Sequence, residues 1–186
     1  MQKIVLASLA IAAFVVAIDA RCSKFPNKTN RRPYFEICSD SSVGYIKYAY
    51  AEKKDGTRMY PVNILGYVRF VFGIRNNGPK YYNGYGSGEL FLRRSVFGCG
   101  WTKLPTFGYM IDMPLCLYSK QNCPAEAHSD HKLIFEGDLT VFKKILRFMP
   151  TGRAFQVVMR IHTKPGDARK SSEIACALIQ TKLIKE

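Results

Sequence analysis

The chain has 186 residues, a net charge of +14 and a hydrophobic content of 47%. This length fits one domain that can bury a core without a metal ion. The basic residues occur as scattered pairs and not as long blocks, which argues against nucleic acid and favours an anionic surface as partner.

The first twenty residues have the pattern of a secretory signal peptide. Lys3 precedes an apolar run over residues 4–16, and a polar sequence begins at Arg21. The run is short for a membrane span, which needs about 20 residues, so a retained anchor is the less favoured alternative. We therefore predict a signal peptide over 1–20 and a secreted protein, with the lysosomal lumen as the alternative location.

Residues 21–36 form a polar, basic segment that we predict to be an extended leader into a single domain over 37–186. The segment contains Asn27-Lys28-Thr29, an acceptor sequence for N-glycosylation. We therefore predict a glycan on Asn27.

Patterns typical of β-strands dominate the rest of the chain. Two segments interrupt these patterns. Residues 76–88 are rich in Gly and Asn, which predicts a turn or mobile loop. Residues 98–124 contain Gly, Pro and three cysteines, which predicts an irregular loop region. A single helical turn is expected within 143–149. The predicted strands cover residues 43–50, 60–74, 89–97, 132–142, 155–162 and 173–184.

The strand over residues 155–162 has the clearest alternation. Its odd-numbered positions are apolar, whereas Gln156, Arg160 and His162 mark a polar side that we expect to be exposed. Short strands at this spacing predict an all-β fold, an antiparallel two-sheet sandwich.

The residues give little support for catalysis. His128 and His131 lie in a polar loop and are expected to be solvated, and no C-x-x-C pair suggests a zinc site. A secreted hydrolase that uses His131 or His162 is the weakest function considered. We expect no enzyme activity, no metal and no cofactor.

Six cysteines follow the signal peptide, and three disulfides with fifteen possible pairings are expected. Cys116 and Cys123 are seven residues apart and are followed by Pro124, which suits a small disulfide loop. Cys176 lies in the final strand and would join it to the first strand, around Cys38.

The order of these features resembles the ML lipid-recognition superfamily, and most closely the ganglioside activator. The matching stretches are residues 92–105, the loop over residues 116–124, and residues 150–176. The resemblance implies a two-sheet β-cup around an apolar cavity, without catalysis. It also implies the disulfides Cys38–Cys176 and Cys116–Cys123, with Cys22–Cys99 as the third pair.

The resemblance further suggests where a lipid and a membrane would bind. The expected cavity residues come from the alternating strand and from an apolar mouth: Trp101, Phe107, Tyr109, Met110, Phe155, Val157, Met159 and Ile161. The expected membrane-contact loop contains apolar and basic residues: Arg93, Arg94, Val96, Phe97, Trp101 and Lys103.

The function predicted from the sequence is binding of a lipid or glycolipid, which the protein presents or transfers. Its expected partners are that ligand, an anionic membrane surface, and a lipid-processing hydrolase or receptor. One alternative is a cationic defence protein that acts on anionic membranes. Another is a chemosensory relative that binds a lipid or pheromone.

Overall fold

The computed structural model describes residues 23–38, 43–94, 99–118, 123–164 and 173–185. The predicted signal peptide lies outside these residues, as do Cys22, Val96 and Phe97. Among the helices that the structure describes, none has the length and apolarity needed to cross a membrane.

Strands make up most of the described residues. In chain order they are β1 (Tyr34–Ile37), β2 (Gly44–Glu52), β3 (Val62–Asn63), β4 (Tyr67–Asn76), β5 (Tyr85–Arg93), β6 (Trp101–Leu104), β7 (Met113–Pro114), β8 (Asp130–Asp138), β9 (Ala154–His162) and β10 (Glu173–Ile184). The helical segments are short: 3₁₀ turns at Pro26–Lys28 and Leu139–Phe142, and the four-residue helices α1 (Leu115–Tyr118) and α2 (Lys143–Leu146).

The strands form two sheets, which confirms the predicted antiparallel two-sheet sandwich. The larger sheet has the order β1-β10-β9-β5-β6, with β3 paired to β10 and β7 paired to β5. The smaller sheet has the order β2-β4-β8.

The core lies between the sheets in two apolar clusters. One contains Met159 and Ile161 of β9, packed with residues of β4 and β10. The other contains Phe155 of β9, packed with Val62 and Val68. The alternation of apolar residues in β9 therefore places Phe155, Met159 and Ile161 on the inner face, as the sequence indicates.

Two of the predicted disulfides hold the sandwich together. Cys38 is bonded to Cys176, which joins the end of β1 to β10, and Cys116 is bonded to Cys123. Cys99 also forms a disulfide, but its predicted partner Cys22 lies outside the described residues, so that pair stays a prediction.

Several boundaries differ from the sequence prediction. The predicted strand over 60–74 is broken into β3 and β4, and the one over 132–142 ends at Asp138, where the Asp138 side chain accepts a hydrogen bond from Thr140 N–H and caps a 3₁₀ turn. The region 98–124 contains the short elements β6, β7 and α1. β1 begins at Tyr34, inside the segment predicted as leader. The described part of that segment is also not extended throughout, because residues 26–32 form a 3₁₀ turn and further turns.

The prediction of a loop over residues 76–88 was wrong at its end, because β5 already begins at Tyr85. Gly86 and Gly88 lie within this strand because the space beside them is filled by other side chains. A Cβ atom on Gly88 would be 2.3 Å from Met110 Cε, and one on Gly86 would be 2.9 Å from Leu115 Cδ2. These glycines allow close packing and do not mark a turn.

The outer face of β9 and β10 is partly covered, which corrects the expectation that its polar residues are exposed. Asn27 of the leader donates a hydrogen bond to the Gln180 side chain, and Gln180 donates one to Gln156. Both glutamines are buried beneath the leader, and His162 is fully buried at the other end of β9.

Candidate functional site

An apolar cleft opens beside β5 and β6, at one edge of the larger sheet. Leu90 of β5 and Leu104 of β6 are cross-strand partners and form one wall. Leu146 and Met149, at and after the end of α2, pack on the same apolar cluster and form part of the opposite wall. The cleft is therefore built by elements that are distant in the sequence and share one core.

The cleft has a volume of about 400 Å³. Ligand sites in proteins typically measure about 300–1,000 Å³, so the cleft is large enough for a small molecule or part of a lipid chain. None of the described residues that line it is charged. They are Leu90, Leu104, Pro105, Thr106, Phe107, Tyr109, Met110, Leu146, Phe148, Met149 and Pro150.

The loop between β6 and β7, residues 105–112, closes one side of the cleft. Its backbone is tied to β5 by a hydrogen bond of 2.7 Å from Gly88 N–H to the Met110 carbonyl, and the Met110 side chain fills the space beside Gly88. Phe107 and Asp112 have φ values of 50° and 48°, a left-handed conformation that residues other than glycine rarely adopt. Such strained loops are common at binding sites.

Aromatic side chains stand exposed at the mouth of the cleft. Phe107 is 71% exposed, Tyr109 is 66% exposed and Phe148 is 88% exposed. Ile111, in the same loop, is 60% exposed. Large apolar side chains that are grouped and exposed usually mark a surface that meets another molecule.

The predicted cavity residues divide into two groups. Phe107, Tyr109 and Met110 line the cleft, whereas Phe155 and Met159 are packed in the core. Val157 is half-buried and is the cross-strand partner of Leu90, one of the cleft residues. Their part in lipid binding stays a prediction.

Ile161 lines a second, smaller cavity between the sheets. This cavity lies beside the Cys116–Cys123 disulfide and has a volume of about 60 Å³. That volume is well below the roughly 300–1,000 Å³ that is typical of ligand sites.

Trp101 and the basic residues of the predicted membrane-contact loop lie on and beside the β5–β6 hairpin. Trp101 is half-buried, and the Arg93 guanidinium lies over its ring, 5.4 Å from the ring centre. Arg94 is exposed, and Lys103 forms an ion pair with Glu89. Trp101 is not among the described residues that line the cleft.

Sequence reasoning missed the wall of the cleft formed by residues 146–150 and the strand residues Leu90 and Leu104. The run Phe148-Met149-Pro150 carried a usable signal, because it is apolar, ends in proline and lies between the strands β8 and β9. Leu90 and Leu104 are apolar residues in strands, and nothing in the sequence distinguishes them from ordinary core residues.

His162 is buried at the base of the loop that borders the cleft, contrary to the expectation of an exposed histidine. Its Nδ1 donates a hydrogen bond to the Lys164 carbonyl, and its Nε2 lies 3.0 Å from Ser87 Oγ and 3.3 Å from Asp112 Oδ1. Ser87 Oγ in turn accepts a hydrogen bond from Asp112 N–H. The cluster thus ties the loop to β5 and β9.

This cluster does not have the geometry of a hydrolase triad. In a triad the carboxylate orients Nδ1 while the serine faces Nε2, whereas here both Ser87 and Asp112 face Nε2. His131, the other candidate, is hydrogen-bonded to Ser129 Oγ. Within the described ranges, no group of three or more His, Cys, Asp or Glu residues could hold a metal ion.

Comparison with known proteins finds similarity in structure only. No family model and no curated protein matches the sequence. The fold is similar to the crystal structure of a Niemann-Pick type C2 protein from the Japanese carpenter ant, with a TM-score of 0.51 and 12% sequence identity over 81% of this chain and 99% of that chain.

A second similar structure is the C-terminal domain of wzt, with a TM-score of 0.49 and 10% identity over 91% of this chain and 85% of that domain. At that score it supports no statement about this chain.

The similarity to the Niemann-Pick type C2 protein covers nearly the whole of the ant protein. This chain therefore shares the β-sandwich fold of a Niemann-Pick type C2 protein, an ML-type fold.

Proposed function

We propose that this protein binds a lipid or glycolipid through its apolar part in the cleft, and presents or transfers it. The observation that carries the proposal is a cleft of about 400 Å³ whose described lining residues include no charged side chain. Each methylene group moved from water into such a site stabilises the complex by about 0.8 kcal/mol, before ordering costs. The fold shared with a Niemann-Pick type C2 protein supports the same function.

The exposed aromatic rim supports a second step, contact with an anionic membrane. Phe107, Tyr109 and Phe148 are exposed at the cleft mouth, and Lys143 and Arg147 are exposed in the neighbouring segment. Aromatic side chains favour the membrane interface, and each basic residue near an anionic surface contributes about 1 kcal/mol. The loop around Arg93, Arg94 and Trp101 would add further contacts.

The remaining parts of the proposal concern the secretory pathway. The disulfides Cys38–Cys176 and Cys116–Cys123 are typical of oxidising compartments. We infer a signal peptide over 1–20, a leader over 21–36, a domain over 37–186 and a glycan on Asn27. The protein would act outside the cell or in the lysosomal lumen, beside a lipid-processing hydrolase or receptor.

Native mass spectrometry of protein from a eukaryotic secretory host tests the proposal. We expect a bound lipid, and exchange of that lipid for a fluorescent fatty acid. Leu104→Arg places a charge in the cleft and should weaken fatty acid binding by at least about tenfold, because a buried charge without a partner is strongly unfavourable. Leu104→Trp, which fills the cleft without a charge, should also weaken it.

The matched control is Leu117→Arg, since Leu117 is 71% exposed and does not line the cleft. Ile111→Asp should slow uptake from anionic vesicles while leaving binding of free fatty acid unchanged, because Ile111 is 60% exposed in the rim and does not line the cleft. Equal fatty acid binding by Leu104→Arg, Leu104→Trp and Leu117→Arg would contradict the assignment of the cleft.

The same preparation distinguishes the alternative of a cationic defence protein. The net charge of +14 and the exposed aromatic rim are also compatible with direct action on membranes. A protein that carries no lipid, takes up no fatty acid and permeabilises anionic vesicles would favour that alternative.

A further inference from the structure

The leader has a high density of exposed positive charge. Residues 23–33 contain Lys24, Lys28, Arg31 and Arg32 and no acidic residue. All four side chains are exposed. From the sequence, this segment could be either a solvated tail or a set of charges held in fixed positions. The contacts of the leader in the structure support fixed positions.

The leader backbone follows a fixed path over the larger sheet. Ala154 N–H donates a hydrogen bond of 2.9 Å to the Lys24 carbonyl, and Asn27 donates one to the side chain of Gln180 in β10. The Tyr60 hydroxyl donates to the Thr29 carbonyl and accepts a hydrogen bond from Lys182 N–H. Burial raises the pKa of Tyr60, so its hydroxyl stays protonated and able to donate.

The path of the leader brings two more basic side chains next to it. Arg153 immediately precedes Ala154, whose N–H holds Lys24. Lys182 is the β-sheet partner of Ala154, and its ammonium lies 5.8 Å from the centre of the Phe25 ring. We call these six basic residues the leader patch: Lys24, Lys28, Arg31, Arg32, Arg153 and Lys182.

The leader patch makes no ion pair in the part of the chain that the structure describes. None of its six residues takes part in the ion pairs there, whereas Lys47, Lys80 and Lys103 each meet a carboxylate. Arg93 extends the patch, since its guanidinium donates to the Ser23 carbonyl at the start of the leader. The positive charge is therefore fixed in place and available to an external anion.

We propose that the leader patch binds a linear sulfated polysaccharide. Several basic groups held in place along the turns of the leader can meet the repeated charges of such a chain, and the planar guanidinium groups of arginine suit oxyanion groups. Among the described residues, the large hydrophobic side chains that are exposed all lie outside residues 23–33. The leader patch therefore has no exposed apolar side chains like those at the rim of the cleft. This favours a hydrated polyanion over a bilayer, and the binding is independent of the lipid cleft.

The test compares two variants of the mature protein that each lose two positive charges. K24Q/K28Q removes two charges of the leader patch, and K132Q/K164Q removes two exposed lysines on β8 and just after β9. Affinity for heparin is measured by calorimetry and by the salt concentration that elutes the protein from a heparin column. N-linked glycans are trimmed first, because the predicted acceptor Asn27 lies within the leader.

We expect K24Q/K28Q to bind heparin at least about tenfold more weakly at physiological ionic strength, with the slope of log affinity against log salt reduced by about 2. At physiological ionic strength charges beyond about 8 Å are largely screened, so K132Q/K164Q should change affinity less than about twofold. Fatty acid uptake should be the same in both variants, which shows that they are folded.

Two results would overturn the proposal. One is an equal loss of heparin affinity in both variants, which would mean that only the net charge matters. The other is unchanged heparin affinity in K24Q/K28Q together with lost binding to vesicles of phosphatidylserine and phosphatidylcholine, which would assign the patch to a membrane.

Discussion

At the scale of single residues, His162 couples the loop that borders the cleft to the sheet. The imidazole has no solvent exposure and contacts Ser87, Asp112 and the Lys164 carbonyl. Tyr85 stacks on it, with ring centres 6.0 Å apart. Because Asp112 ends the loop over residues 105–112, the position of that loop depends on this buried cluster.

We expect His162→Asn to lower the free energy of unfolding by about 2–3 kcal/mol, because it removes packed volume and leaves buried polar groups without partners. The control is His128→Asn, since His128 is exposed and has a φ of 52°, which asparagine tolerates. That variant should change the free energy by less than about 0.5 kcal/mol. Urea denaturation measures both, and similar losses would contradict a structural role for His162.

At the scale of structural elements, the two observed disulfides hold different parts of the sandwich. Cys38–Cys176 spans a sequence separation of 138 residues and joins β1, at the edge of the larger sheet, to its neighbour β10. Cys116–Cys123 spans only 7 residues, at the start of the segment that leads to β8. In the chain-entropy model a disulfide that closes a longer loop restricts the unfolded chain more.

Replacing both cysteines of each pair by alanine should separate the two contributions. We expect losses in the free energy of unfolding of about 4–5 kcal/mol without Cys38–Cys176 and about 2–3 kcal/mol without Cys116–Cys123. Urea denaturation without reductant provides the measurement. A larger loss for the short loop would show that local packing outweighs loop closure.

At the scale of the whole molecule, three aspartates favour the folded state above acidic pH. A hydrogen bond from Lys47 lowers the pKa of Asp130, and hydrogen bonds from Thr57 and Thr140 lower the pKa values of Asp55 and Asp138. A carboxyl group whose pKa is lower in the folded state stabilises the fold above its unfolded pKa of about 3.9. That stabilisation is lost as the pH falls through the folded pKa.

Asp130→Asn should therefore destabilise the protein at neutral pH and at about pH 5, where Asp130 is ionised in both states. The difference from the unchanged protein should be smaller at about pH 3, because the stabilisation fades as the pH falls below the unfolded pKa and through the lowered folded pKa of Asp130. Urea midpoints at the three pH values check this. A difference that stays constant down to the lowest pH would mean that the charge of Asp130 does not stabilise the fold.

The sequence by itself determined the two-sheet sandwich and its two observed disulfides. The sandwich is encoded locally, since the period of two in β9 assigns Phe155 and Met159 to the inner face. The pairing of cysteines as distant as Cys38 and Cys176 was implied by the resemblance to the ML superfamily. An apolar mouth at Phe107 and Tyr109 was predicted from the apolar run in an irregular segment, although the same run suited a loop packed on the sheet equally well. Its part in lipid binding stays a prediction.

Only the tertiary structure decided how distant segments meet. Gly86 and Gly88 have the composition of a turn, yet they lie in a strand because Leu115 and Met110 fill the space beside them. His162 lies on the polar side of β9, yet it is buried because a loop fifty residues earlier in the chain covers it. The cleft combines β5, β6 and the segment after α2, since burial depends on which surfaces come together and not on the local period of the sequence.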